Sequence, residues 1–123
     1  MPLTYTINAE TGLVTLRYDG SVDFEEWTNQ MRALLADPKY QTGSSLLVDR
    51  RLAGAPSAAF VRRLVGFLRD HSEELSGARI AMLVAEPASY GMARMLQAFA
   101  AELPMQIEVF RDLDEAEKWL AAA

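Results

Sequence analysis

The stretch that decides the fold is Ser45-Leu46-Leu47-Val48-Asp49-Arg50, an apolar run that ends in charged residues. Such a run, with turn-forming residues on both sides, is typical of a strand that is buried on both faces of a parallel sheet. A second apolar run extends from Ile80 to Ala85. Because a helix-length segment separates the two runs, the sequence predicts a right-handed crossover between parallel strands.

The segment before this run predicts an antiparallel hairpin. Leu3, Tyr5 and Ile7 alternate with polar residues, and the alternation resumes between Leu13 and Tyr18 after a glycine-containing turn. Alternation with a period of two indicates strands that are buried on one face. We expect this hairpin at one edge of the sheet.

Capping residues and prolines predict four helices. The helices are expected to begin next to Asp23, Ser57, Pro87 and Asp112. The third of them is predicted to bury one stripe, made of Met92, Met95, Leu96, Phe99 and Leu103. With a last strand at Ile107 to Phe110, the order is β-β-α-β-α-β-α-β-α. The sequence thus predicts one α/β domain over residues 1–123, with a mainly parallel five-stranded sheet and an antiparallel N-terminal hairpin.

Composition excludes several classes of function. The net charge of −5 disfavours general binding of nucleic acid. The absence of cysteine rules out disulfides and thiolate metal sites. Met1 to Glu10 carries no secretory signal, and no apolar run is long enough to cross a bilayer, so a cytoplasmic protein without a transmembrane segment is expected.

The element order and a few fixed residues resemble the STAS domain superfamily, and in particular the small bacterial SpoIIAA-like (STAS/Sec14-like) proteins. The residues that carry this resemblance are Gly12 to Leu16 with Asp19-Gly20, Leu46 to Asp49, and Val109-Phe110 with Glu115-Ala116 and Trp119-Leu120. The resemblance implies a SpoIIAA-like fold and a regulatory module similar to an anti-sigma factor antagonist.

One position departs from the pattern of those antagonists. In them, the residue after the strand-end aspartate is a serine or threonine that becomes phosphorylated, whereas here Arg50 follows Asp49. A guanidinium cannot accept a phosphoryl group from a serine kinase. The phosphorylation switch of the family is therefore not carried over to this chain.

Ligands of open α/β sheets bind beyond the carboxyl ends of the parallel strands. The candidate binding residues in that region are Asp49, Arg50, Arg51, Ser57, Glu86 and Tyr90. Arginines beside a helix start favour a phosphate, a carboxylate or an acidic partner surface. The alternative is structural: Arg50 and Arg51 pair with nearby carboxylates on the surface, and Ser57 only caps a helix. Tyr90, with Ser89 and Met92, is expected to border an apolar pocket between the third predicted helix and its loop, and the alternative for Met92 is plain core filling.

Two functions follow from these residues. The first is a non-enzymatic binding or regulatory module that contacts a protein partner through the loop from Asp49 to Ser57. The alternative is a carrier of a small lipid-like or anionic ligand at the strand ends. No catalytic constellation, cofactor motif or metal-ligand spacing occurs in the sequence. A homodimer through the free edge of the hairpin, with Trp27 and Tyr40 as exposed aromatic area, is a further expectation.

Overall fold

Five strands and five helices make up residues 2–122, the part of the chain that the computed structural model describes. In chain order they are β1 (Leu3–Ile7), β2 (Val14–Tyr18), α1 (Phe24–Ala36), β3 (Leu46–Asp49), α2 (Ala58–Asp70), α3 (Ser72–Leu75), β4 (Arg79–Leu83), α4 (Pro87–Phe99), β5 (Gln106–Phe110) and α5 (Leu113–Ala121). The predicted order is confirmed, and the single turn of α3 is added to it.

The strands lie in one sheet in their order along the chain, β1-β2-β3-β4-β5. β1 and β2 pair antiparallel, with Leu3 opposite Tyr18, and each of the later pairs is parallel. The hairpin therefore forms one edge of the sheet, as the alternation predicts. At its turn, Asn8 Oδ1 accepts hydrogen bonds from the amides of Glu10 and Thr11 at 2.9 and 3.1 Å.

Side-chain caps open three of the four long helices where the sequence places them. Asp23 accepts a hydrogen bond from the amide of Glu26 at 2.8 Å, and Ser57 accepts one from Phe60 at 3.0 Å. Asp112 caps α5 through the amide of Asp114 rather than that of Glu115. At α4, Glu86 occupies the cap position without making a side-chain bond. The first turn of α4 therefore keeps amides that no side chain satisfies.

The sheet is covered unequally on its two faces. α1, α2 and α4 pack on one face over a large core, to which β3 contributes Leu46 and Val48. α5 packs alone on the other face over a smaller core that includes Leu47 and Leu83. Because side chains alternate along a strand, each residue of β3 belongs to one core or the other.

The predicted buried stripe of α4 is partly wrong. Phe99 is 43% exposed, while Ala93, Leu96 and Ala100 are buried. Leu96 faces the core between the two alanines, while Met92 and Met95 are only partly buried at the sides of the contact. An apolar residue in α4 is thus not automatically a core residue.

The predicted exposure of Trp27 is also wrong, because its indole is buried between α1 and α2. Its ring packs against Phe24, Phe60 and Phe67 with centroids 5.0 to 6.4 Å apart. Tyr40 is half-buried and donates a hydrogen bond to the carbonyl of Glu74 at 2.8 Å; burial raises its pKa to about 12. Self-association through the outer edge of β1 stays a prediction. Trp27 and Tyr40 do not supply the exposed aromatic area that was expected to support it.

Candidate binding site at the carboxyl ends of the strands

The carboxyl ends of β3, β4 and β5 meet at one edge of the sheet. Beyond β3, the amide of Arg50 donates to the carbonyl of Leu83 at 2.8 Å, and beyond β4 the amide of Val84 donates to Phe110 at 2.9 Å. The three segments that follow, residues 49–57, 86–90 and 110–112, therefore start side by side. This end of the sheet carries all six candidate residues.

Asp49 and Arg51 form a closed pair at the start of the loop. The guanidinium of Arg51 donates from Nε and Nη2 to the two carboxylate oxygens at 3.0 and 2.8 Å, and its backbone amide adds a bond at 3.1 Å. The hydrogen bonds from Arg51 hold the pKa of Asp49 below its usual range, with a smaller contribution from the charge of Arg17. Asp49 is thus an ionised anchor for the loop, and the expected pairing of Arg51 with a carboxylate is confirmed.

Arg50 does not pair on the surface, which corrects one part of the structural alternative. Its residue is only 6% exposed, and its guanidinium lies 4.5 Å from the centroid of the Tyr18 ring. The side chain makes one hydrogen bond, from Nη2 to the carbonyl of Gly54 at 3.0 Å. Within residues 2–122, no carboxylate lies within 4.0 Å of its nitrogens.

The alternation of β3 explains why neighbouring arginines take opposite positions. Leu46 and Val48 face the large core, and a further step of two residues places Arg50 on the same side. The parallel register pairs Arg17 with Asp49, so the next positions, Tyr18 and Arg50, come together. This signal was present in the sequence, but the charge of Arg50 favoured an exposed position.

Ser57, Glu86 and Tyr90 have separate surroundings. Ser57 caps α2 and is exposed, and Glu86 is exposed with no ion pair to any described residue. Tyr90 is half-buried, with the guanidinium of Arg111 4.3 Å from its ring centroid and that of Arg94 3.4 Å from its hydroxyl. The structure does not gather the six candidates into one cluster.

The pocket expected next to Tyr90 is lined by Ser89 and Met92, whereas Tyr90 itself lines neither of the two cavities in this region. Ser89 is 2% exposed, and its Oγ finds no hydrogen-bond partner among the described residues. It lines a cavity of about 20 Å³ together with Arg50 and Met92. Arg50 also lines a neighbouring apolar cavity of about 40 Å³. A serine in the first turn of a helix is common, so its sequence position did not indicate that its hydroxyl lacks a partner among the described residues.

A larger groove, of about 560 Å³, lies at the opposite end of the sheet. It is lined by residues 11–13 and 41–45 and by the end of α5, and Glu117 is its one charged residue. In the described part of the chain, no three His, Asp or Glu side chains are grouped as metal ligands. None of the described helices is both long and apolar enough to span a membrane.

The comparisons with known proteins agree on the family and the fold. A family model described as SpoIIAA-like matches residues 13–121. The crystal structure of an uncharacterized protein of the DUF3478 family from Shewanella loihica PV-4, which has a SpoIIAA-like fold, aligns with a TM-score of 0.65. That alignment covers 96% of this chain and 91% of the other at 17% identity, so it shows the fold alone. No curated protein matches the sequence.

Proposed function

The chain belongs to the SpoIIAA-like family, and from that premise we propose that it is a non-enzymatic module that binds a protein partner through the loop from Asp49 to Ser57. The observation that carries the proposal is the position of Leu52. This side chain is 66% exposed at the outer part of the loop, more than any other large apolar side chain in residues 2–122. An aliphatic side chain that is held on a rigid support can anchor a protein interface by filling a pocket of the partner.

The loop on either side of Leu52 is held in place before any partner binds. Arg51 is tied to Asp49 by two side-chain bonds, and Ala53 is buried with its amide 3.0 Å from the carbonyl of Arg50. The side chain of Arg50 holds the carbonyl of Gly54 from below. Because these contacts fix the loop in advance, binding through Leu52 costs little ordering entropy.

The partner that fits this loop presents an apolar pocket of side-chain size. The charges next to Leu52 are already neutralised, since Asp49 and Arg51 pair with each other. A strongly acidic or basic partner surface therefore gains little from the loop itself, and the apolar contact decides the affinity.

The same pairing supports a binding role rather than a catalytic one. Asp49 is held ionised by Arg51, so it does not accept or donate a proton near neutral pH. In the anti-sigma factor antagonists that the chain resembles, the residue at the position of Arg50 accepts the regulatory phosphate. Because a guanidinium occupies that position here, phosphorylation of this residue does not regulate the proposed partner binding.

Two matched substitutions test the proposal. Leu52 and Phe99 are the two exposed large apolar residues of the described chain, one in the loop and the other at the end of α4. We expect Leu52→Glu to abolish recovery of the partner in a pull-down from the cells that produce the protein, because a charge cannot enter an apolar pocket. Phe99→Glu removes a comparable apolar surface elsewhere and should leave recovery unchanged. Equal recovery with Leu52→Glu and wild type would overturn the proposal, provided that both melt at the same temperature.

A further inference from the structure

A buried positive charge without a counter-ion lies beneath the loop. The guanidinium of Arg50 carries one positive charge and five N–H donors. The structure gives its side chain one hydrogen bond and one aromatic face, and no carboxylate of residues 2–122 within 4.0 Å. A guanidinium that is 6% exposed and has no carboxylate partner carries a desolvation cost, which the ring of Tyr18 offsets only in part. An anion bound next to Arg50 would remove this cost.

An unpartnered hydroxyl lines the same cavity as the guanidinium. Ser89 is 2% exposed, its Oγ has no partner in the described chain, and both it and Arg50 line the cavity of about 20 Å³. Buried hydroxyls are nearly always hydrogen-bonded, so an orphan needs an explanation. Ser89 also lies in the first turn of α4, whose N-terminus no side chain caps. A hydroxyl donor and a guanidinium that line one cavity suit an anion.

The neighbouring cavity of about 40 Å³ is apolar apart from Arg50 and Tyr18. Arg50, Leu64, Met82 and Leu96 line both cavities, so the charge lies where the polar and the apolar spaces adjoin. Since about 10–15 Å³ holds one water molecule, the two spaces suit a ligand of only a few heavy atoms. Methionines in the walls, among them Met31 and Met82, adapt readily to a small apolar chain.

We propose that this interior site binds a short-chain carboxylate, with its carboxylate against Arg50 and Ser89 and its alkyl chain among the apolar residues of the larger cavity. A planar carboxylate matches the fork of a guanidinium, and one negative charge matches the one unpaired positive charge. The cavity size excludes long acyl chains. The site lies beneath the loop from Asp49 to Ser57 and involves neither Leu52 nor Arg51. Binding of the carboxylate therefore does not require the proposed protein partner.

A ligand titration followed by ¹H–¹⁵N NMR tests the proposal on the full chain. We expect butyrate to cause saturable shifts at the amides of residues 50–54 and 88–93, and to raise the melting temperature by mass action. Butanol and butylammonium have the same chain without the negative charge, and should cause neither effect. Equal binding of butanol, or no saturable shift with butyrate, would overturn the proposal. Chloride or inorganic phosphate binding as tightly as butyrate would overturn the assignment to a carboxylate.

Substitutions in the site separate ligand binding from a structural role. Arg50→Met keeps a side chain of similar length without the charge, and should weaken butyrate binding about ten- to a hundredfold. It should change the stability of the unliganded protein little, because removal of the uncompensated charge offsets the loss of the hydrogen bond to the carbonyl of Gly54. Clear destabilisation together with unchanged butyrate affinity would show that Arg50 only supports the loop.

A second pair of variants keeps the test valid if Arg50→Met fails to fold. Ser89→Ala removes a hydroxyl that has no protein partner, and should weaken butyrate binding about three- to tenfold. Thr28→Val is its matched control, because the hydroxyl of Thr28 is also buried and unpartnered but lines neither cavity. Unchanged affinity in Ser89→Ala, or an equal loss in Thr28→Val, would contradict the site.

Discussion

The two ends of the sheet differ in the volume of their grooves and in the side chains that they present. The end with the larger groove is not the end that carries the candidate binding residues. The amino ends of β2 and β3 border a groove of about 560 Å³. The two cavities that Arg50 lines hold only about 20 and 40 Å³, and the second extends beneath the sheet through the large core. Yet the unpaired buried charge of Arg50, the orphan hydroxyl of Ser89 and the exposed Leu52 all lie at the carboxyl ends. The largest groove and the residues on which both proposals rest therefore lie at opposite ends of the sheet.

The groove at the amino ends has one wall, the loop between α1 and β3, that is held in place by hydrogen bonds. The carbonyl of Glu74 accepts hydrogen bonds from the hydroxyl of Tyr40 at 2.8 Å and from the amide of Gly43 at 3.3 Å. These bonds fasten the loop between α1 and β3 to the turn of α3. The groove is the space next to this hydrogen-bonded loop, and its polar lining is mostly threonine and serine, with Gln41 and Glu117 as the longer polar side chains. At the carboxyl ends the hydroxyl of Ser89 has no partner among the described residues. The amino end of β4 also has one such buried atom, Nε of Arg79, whose guanidinium lies 4.2 Å from the centroid of the Trp119 ring.

The largest expected difference between the two ends concerns the glycines of their loops. Gly43 has a φ of +83°, and a Cβ there would lie 3.0 Å from the carbonyl oxygen of Ser76. We expect Gly43→Ala to lower the free energy of unfolding by about 2 kcal/mol, since left-handed backbone alone costs an alanine about 1–2 kcal/mol. Urea denaturation measures this change.

Gly54, in the carboxyl-end loop, is the matched control for Gly43. A Cβ at Gly54 would meet only the hydroxyl of Ser21, at 3.5 Å, which is ordinary contact. Gly54→Ala should therefore change the free energy of unfolding by less than about 0.5 kcal/mol, or raise it slightly through the entropy of the unfolded chain. An equal loss of unfolding free energy in Gly43→Ala and Gly54→Ala would show that the backbone at Gly54 is as constrained as the backbone at Gly43.

A smaller effect is expected from the pair that closes the carboxyl-end loop. Asp49→Asn should cost about 1 kcal/mol near neutral pH, because the pair is bidentate but Arg51 is partly exposed to screening solvent. The folded pKa of Asp49 is lowered, so this stabilisation is present above the unfolded pKa of about 4 and is lost as the pH falls through the folded pKa. Urea denaturation from pH 7 to pH 3 should show the difference between wild type and Asp49→Asn shrinking below about pH 4. A difference that stays constant to pH 3 would contradict the pairing.

The smallest effect is expected in the large groove itself. Glu117→Gln and Thr42→Ala alter its lining without touching the fastening at Glu74. Each should change the free energy of unfolding by less than about 0.5 kcal/mol and should leave partner recovery in the pull-down unchanged. Loss of partner recovery in either variant would show that the partner binds at the groove rather than at the carboxyl ends of the strands.

The fold was predictable because its signals are local. The doubly buried run at Leu46 to Val48, the alternation of the hairpin and the caps at Asp23 and Ser57 each specify an element from a few neighbouring residues. Pro38 was expected to end α1 and lies two residues after its last residue, whereas Pro104 was expected to end α4, which already ends at Phe99. The antiparallel edge followed from the short hairpin turn. None of these predictions required knowledge of which strands lie side by side.

The site was less predictable because it depends on neighbours that are distant in sequence. The burial of Arg50 follows from the pairing of β2 with β3, which brings Tyr18 next to it. The exposure of Phe99 depends on how α4 turns its alanines towards α2 and the sheet, which its nearly continuous apolar sequence does not specify. The orphan state of Ser89 becomes visible only once every potential partner has a position.

The most direct test of the central claim is hydrogen–deuterium exchange of the wild-type protein with and without the partner that it recovers. The claim is that partners bind at the carboxyl ends of the strands. We predict that the partner slows exchange in residues 50–57, with little change in residues 11–13 and 41–45 at the amino ends. Protection confined to the amino-end groove, with the Leu52 loop exchanging as in the free protein, would contradict the account.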